Sequence, residues 1–267
     1  MRQNLSLVRQ PPTPLLARPV GSAGEPAVRG YAVTHPAGRV VLPAASGWNQ
    51  LLFASAGVMT VETAAGRWVV PPHRALWMPD GARPRIVMHG RVSIRTLYLD
   101  CRLPVPLDGW RAVNVSRLLR ELIIHAVGQA PLDLARADHD RLIGVLLDQL
   151  AGLAQQPLVL PHPVDERAQG LARAIAGPAG GGTIDDLARS VGASRRTLER
   201  TFVAETGLTI GAWRQRQRLL RALELLAQGE PVTTVALAVG YRTPSAFTAM
   251  FHEQLGTTPT HYFQPDR

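Results

Sequence analysis

Eight arginines fall between Arg189 and Arg221 against only Glu199 and Glu205, so this stretch carries a local net charge of +6. A planar guanidinium grips phosphate oxygens, or the O6 and N7 edge of guanine, through two parallel hydrogen bonds that an ammonium cannot match. The spacing gives these groups a direction. In 194-SRRTLER-200, Leu198 and the following Phe202 stand four apart and mark the buried side of a helix, which turns Arg195, Arg196, Glu199 and Arg200 outward. An arginine on this face suits guanine, and Glu199 suits the N4 amine of cytosine. The alternative for Glu199 is an i, i+4 pair with Arg195 on a solvated surface.

The rest of the chain offers little else to react with a substrate. Its 267 residues hold 29 basic side chains, all arginine, and 20 acidic ones, a net charge of +9. The excess is spread, +7 up to Pro163 and +2 from Val164 onward. A lone Cys101 excludes an intrachain disulfide and a thiolate zinc cage and points to a reducing compartment. His35, His73 and His89 are scattered at turns, and neither a G-x-S-x-G elbow nor a G-x-x-x-x-G-K-[ST] loop occurs. The expectation is no enzyme, no metal and no cofactor. No uncharged apolar run reaches about 18 residues, and Met1 to Arg18 is interrupted by Pro11, Pro12 and Pro14, which predicts a cytoplasmic protein without a membrane anchor.

The elements that must position the arginines are helical, and one unit occurs twice. Ile184, Leu187, Ala188, Val191 and Gly192 match Val232, Val235, Ala236, Val239 and Gly240 at an offset of 48. Leu198, Phe202, Gly207 and Thr209 match Phe247, Phe251, Gly256 and Thr258 at an offset of 49. Each copy reads as helix, glycine turn, second helix, the arrangement that inserts a helix into a major groove. Thr183 with Asp186, Ser194 and Thr243 with Pro244 are helix starts, and Gly192, Gly207 and Gly256 are stops. The second reading helix presents Ser245, Ala246, Thr248 and Ala249 behind Arg242, a set for backbone and thymine-methyl contacts. Between the copies, Ile210 to Ala227 predicts a helix of 18 residues, about 27 Å long, a spacer suited to the roughly 34 Å repeat of a DNA turn. Arg214, Arg218 and Arg221 share one side of it, either to bind phosphates or as an ordinary solvated face, while Trp213, Leu220 and Leu223 face the core.

From Tyr31 to Leu99 the pattern changes to short apolar runs, 50-QLLFAS-55, 58-VMTVET-63, 67-RWVV-70, 75-ALWM-78, 85-RIVM-88 and 92-VSIRTLYL-99. They are separated by turn signals at Gly57, Ala65-Gly66, Pro71-Pro72, Pro79-Asp80-Gly81 and His89-Gly90, which predicts an antiparallel sandwich or small barrel. Trp48, Gln50, Trp68 and Trp77 are candidates to line an effector pocket there, although aromatics and methionines also simply fill barrels. Two amphipathic helices follow, one behind Ser116 and one behind Asp138, whose apolar stripes either pack on the barrel or form a subunit interface. Pro157, Pro161 and Pro163 read as an extended linker.

The stretches 184-IDDLARSVGASRRTLERTFVAETG-207 and 237-LAVGYRTPSAFTAMFHEQLGTTPTHYF-263 resemble the DNA-binding domain of AraC/XylS-type transcription regulators, and 50-QLLFASAGVMTVETAAGRWVVPPHRALWMPDG-81 resembles their cupin-like regulatory domain. The resemblance implies an α+β multidomain chain. Residues 1–160 would be a cupin-like effector and dimerisation domain, with the barrel at about 30–100 and helices at about 113–154. Residues 164–267 would be an all-α DNA-binding domain of seven helices with two helix-turn-helix units. It implies bacterial transcription regulation in the cytoplasm, double-stranded promoter DNA and RNA polymerase as partners, a small organic effector, and a homodimer. The DNA contacts it implies are Ser194, Arg195, Arg196, Glu199, Arg200, Arg214, Arg242, Thr243, Ser245, Ala246, Thr248 and Ala249. Metal-binding cupins carry histidines where this chain has 43-PAASGWN-49 and Pro84, so the rival reading, a cupin-type metalloenzyme with an appended helical module, lacks its ligands.

Overall fold

A computed structural model describes residues 26–41, 46–63, 66–105, 107–151, 159–177 and 182–263. By its contacts the chain divides into two compact units, one of Met1–Val61 with Val70–Pro157 and one of Glu62–Val69 with Leu158–Arg267.

The first unit is built on β1 (Val28–His35), β2 (Gly38–Val40), β3 (Trp48–Thr63), β5 (Arg74–Met78), β6 (Arg85–Asp100) and β7 (Arg111–Asn114), with the end of β3 passing into the second unit. β6 lies between β1 and β3, β2 continues along the β1 side of β6, and β5 joins β3 to β7. Among the described residues the path is open from β1 to β7, so the closed barrel expected from the sequence is not formed by these pairings.

Two of the expected turns are bulges. Gly57 lies inside the 16-residue β3 and Gly90 inside the 16-residue β6, at φ of 79° and 71°. At Gly90 the register slips by one: His35 faces Val92, yet Gly38 faces Met88, leaving two residues opposite three. A glycine at positive φ absorbs such an extra residue and bends the strand without ending it. Gly57 also has no room for a side chain, since a Cβ there would stand 2.5 Å from the Arg91 carbonyl oxygen.

Helices α1 (Arg117–Gln129) and α2 (Ala137–Ala151) close one face of the sheet. Ser116 caps α1 by accepting the Leu119 N–H. Leu119, Ile123, Ala126, Ile143, Leu146 and Leu150 are buried with Leu51, Phe53, Trp77, Leu97 and Leu99 in one core. The two apolar stripes therefore pack on the sheet. The close seat of α1 on β1 depends on Gly30, where a Cβ would come within 2.8 Å of the Val127 Cα.

In the second unit the segment expected to be a plain linker carries β8 (Val159–Pro161), which pairs antiparallel with β4 (Gly66–Val70) through Gly66–Pro161, Arg67–Leu160 and Trp68–Val159. Proline is tolerated at the end of such a strand on a sheet edge. Pro157 lies outside the described residues. Seven helices follow among the described residues: α3 (Glu166–Ala176), α4 (Ile184–Ser190), α5 (Arg195–Thr206), α6 (Ile210–Ala227), α7 (Val232–Ala238), α8 (Pro244–Leu255) and α9 (Pro259–Tyr262).

Candidate nucleic-acid interface

Each copy of the repeat is a pair of helices held by the same local chemistry. Thr183, Ser194 and Thr243 each accept a backbone N–H three residues on, from Asp186, Thr197 and Ala246, and so start α4, α5 and α8. Gly192 and Gly240 turn the chain between the helices at φ of 68° and 86°, and Gly207 and Gly256 end the second helices in the left-handed conformation. Leu198, Phe202, Phe247 and Phe251 are buried, which fixes how α5 and α8 roll. Phe202 stacks edge-on to Trp213, and Phe247 does so to both Tyr241 and Phe251, tying each second helix to its own core.

The opposite sides are solvent-facing. Ser194, Arg195, Arg196 and Arg200 are exposed on or beside α5, and Arg242, Thr243, Ser245, Ala246 and Ala249 on or beside α8, with Thr248 half-buried. Ser245, Thr248 and Ala249 line one shallow concavity with His252 and Thr258. The arginines of α5 are not equivalent. Arg195 reaches back to the Asp185 carboxylate at 3.4 Å, tying α5 to α4. Arg196 and Arg200, four apart on one face, make no hydrogen bond or ion pair with any described residue. Their charge is directed at solvent.

Glu199 follows neither sequence alternative. Its carboxylate accepts the Ile210 N–H at 3.1 Å, so it sits at the first turn of α6, where a negative charge meets the positive end of the helix dipole. The α6 arginines are similarly committed. Arg214 donates to the Gly182 carbonyl at 3.1 Å, and partial burial together with the charge of Arg218 lowers its pKa. Arg218 lies 5.6 Å from the centre of the Tyr241 ring, Arg216 donates to the Val159 carbonyl, and Arg221 pairs with Glu224 at 3.3 Å. Through Arg214, Arg216 and Arg218 the helix is clasped to the elements before and after it, a role that i, i+4 reasoning on a single helix does not reveal, whereas Arg221 and Glu224 pair within the helix.

Sequence reading also missed the partner from β4. Arg67 forms an ion pair with Glu224, which is fully buried on α6. Trp213 Nε1 donates to the Pro161 carbonyl at 2.9 Å, so the β4–β8 ribbon is fastened to α6 at several points. Arg67 and Glu224 are 157 positions apart, and no local pattern links them.

A family profile described as "Helix-turn-helix domain" matches residues 187–265, a span that starts within α4 and includes α5 to α9. The HTH-type transcriptional regulator NimR of Escherichia coli is 32% identical over 215 residues, which cover 80% of this chain and 79% of NimR. The chain belongs to the AraC/XylS family. It is accordingly a helix-turn-helix transcription regulator that binds DNA. Among solved structures, the DNA-binding domain of AdpA in complex with a target DNA covers 37% of this chain and 90% of its own, at 33% identity and a TM-score of 0.33. Fatty acid-bound ToxT from Vibrio cholerae covers 88% of this chain and 94% of its own, at 12% identity and a TM-score of 0.36.

In this AraC-family chain the four sequence candidates for an effector site are not brought together. Trp77 faces Leu51 across β5 and β3 and belongs to the helix-covered core, and Trp68 lies on β4 in the second unit. Trp48 and Gln50 are two apart on β3 and share the face opposite Leu51. Both are buried, Trp48 packs with Tyr98 and Tyr31, and the Trp48 Nε1 and Gln50 Oε1 atoms have no hydrogen-bond partner among the described residues. Arg29 lies 4.9 Å above the Trp48 ring. The described residues contain no group of three histidine, cysteine or acidic side chains placed to hold a metal, and His89 is engaged at 2.8 Å by Thr60. No helix among the described residues is long and apolar enough to cross a membrane.

Proposed function

We propose that this regulator reads promoter DNA through α5 and α8 in two successive major grooves, with a small organic effector in the first unit setting how the reading helices are presented. The observation that carries the DNA reading is the pair Arg196 and Arg200: exposed, four apart, and without a partner among the described residues, on the side of α5 opposite Leu198 and Phe202. A guanidinium left free on a rigid, capped helix keeps its paired donors for guanine or phosphate. Ser194, Arg195, Arg242, Thr243 and Arg214 serve the phosphate backbone, and Ser245, Ala246, Thr248 and Ala249 lie against bases and sugars in the second groove. Glu199 acts by holding α5 to α6.

The effector reading is supported by Trp48 and Gln50. A buried indole N–H and a buried amide oxygen left unpaired on one sheet face cost free energy, and a ligand carrying one acceptor and one donor removes that cost. A homodimer and contact with RNA polymerase complete the proposal in the cytoplasm.

Selection from a random duplex library yields the preferred site, and fluorescence anisotropy on that site and on a random duplex tests the assignment. Arg196→Ala or Arg200→Ala costs about 1–3 kcal/mol on the selected site and relaxes base choice, whereas Arg214→Ala weakens both duplexes alike. Equal losses on both duplexes for Arg196→Ala would remove it from the reading set.

A further inference from the structure

The helical unit contains a concave cavity of about 430 Å3 that none of the DNA-reading residues lines. That is the size of a small-molecule site. Its walls come from four elements of this one unit: β4 supplies Arg67, the β8 region Leu160 and His162, α3 Ala172 and Arg173, and α6 Trp213. Among the described residues no carboxylate lines it; Arg67, Arg173 and His162 make its polar end, with the Glu62 carboxylate close enough to act on Arg67 and His162, and the rest is mostly apolar.

The two arginines are available for an anion. Arg67 gives one N–H to Glu224, and a guanidinium has five. Arg173 is exposed at the rim and makes no ion pair or hydrogen bond with a described side chain. His162 beside them is held below its ordinary pKa by burial and by the charge of Arg67, against the opposing pull of Glu62. The apolar remainder is Leu160, Ala172 and the edge of Trp213, whose ring is held in place through the hydrogen bond from its Nε1 to the Pro161 carbonyl.

The geometry points to a ligand site for a small amphipathic carboxylate, its acid group between Arg173 and the spare N–H groups of Arg67 and its apolar body against Leu160, Ala172 and Trp213. The site lies wholly in the helical unit and is independent of the effector reading at Trp48 and Gln50. Its occupant touches α3, α6 and the β4–β8 ribbon together, and so acts on the helix that joins the two reading units.

The test is isothermal titration of the full chain with 3-phenylpropionate and octanoate, and with the neutral 3-phenylpropanamide. Both carboxylates bind at millimolar or lower concentration, and the amide binds at least about tenfold more weakly. Arg173→Gln, at an exposed position, lowers carboxylate affinity about tenfold and leaves the amide unchanged. Ala176→Trp, which fills the rim, abolishes both, and Gln50→Ala changes neither. The inference is overturned if neither carboxylate binds, if the amide binds equally well, or if Arg173→Gln leaves the carboxylates unaffected. Loss in Gln50→Ala with retention in Ala176→Trp also overturns it, because the ligand then sits in the other unit. Should Ala176→Trp fail to fold, Arg173→Gln decides alone.

Discussion

Replacing Arg67 with methionine preserves the packing of its aliphatic stem and removes its charge from Glu224. Glu224 is fully buried, whereas the Arg67 side chain is 23% exposed and Arg221, 48% exposed, stays at 3.3 Å. Stripping a buried carboxylate of its only partner costs about 3–5 kcal/mol. Here Arg221 survives as a partner and solvent already screens part of the lost one, so the expected destabilisation is about 2 kcal/mol. For a unit of this size that lowers Tm by about 5–10 °C. Calorimetry of the four members of a cycle with Glu224→Gln gives the decisive number. Neutralising Glu224 removes the reason for the penalty, so the double variant is more stable than the sum of the two single losses predicts. Additivity within about 0.5 kcal/mol would show that the two side chains do not interact, and the fastening of β4 to α6 would have to be explained otherwise.

Three further outcomes follow from the same geometry. Gly57→Ala combines a positive φ with a Cβ 2.5 Å from a carbonyl oxygen and costs at least about 2 kcal/mol in urea unfolding, whereas Gly81→Ala, at φ 74° in open space, shows only the backbone penalty of about 1 kcal/mol; equal losses refute the packing account. Ser194→Ala and Thr243→Ala each remove one cap and lower stability by about 1 kcal/mol, read by thermal unfolding. His162 carries a folded-state pKa below its ordinary 6.5, so the unfolded chain binds more protons and stability falls as pH drops through that value; His162→Gln flattens this limb, leaving His35 to contribute with the same sign.

The reading units were legible because their information is local: a cap, a glycine and two apolar residues four apart lie within one short window at Ser194 to Gly207 and again at Thr243 to Gly256. The bulges were not. Gly57 and Gly90 announce positive φ, but a turn and a bulge demand the same backbone, and only cross-strand register separates them. Periodicity at α1 and α2 showed that a face must be buried without saying against what, until Gly30 and the sheet core answered it. The greatest loss was among charges. Arg214, Arg218 and Arg221 read as one surface stripe, yet each has a separate partner within the protein, and the hold of Glu199 on the first turn of α6 escaped notice because its donor, the Ile210 N–H, lies beyond a turn.

The clasped α6 makes the geometry of recognition quantised. Inserting a single residue into it would advance whatever follows by about 1.5 Å and rotate it by about 100°, tearing Arg218 from Tyr241 and aiming α8 away from the groove proposed for it. Variation in binding-site spacing is therefore closed to small changes in this helix. New targets for such a regulator must arise by exchanging the side chains on α5 and α8, with the distance between them inherited unchanged.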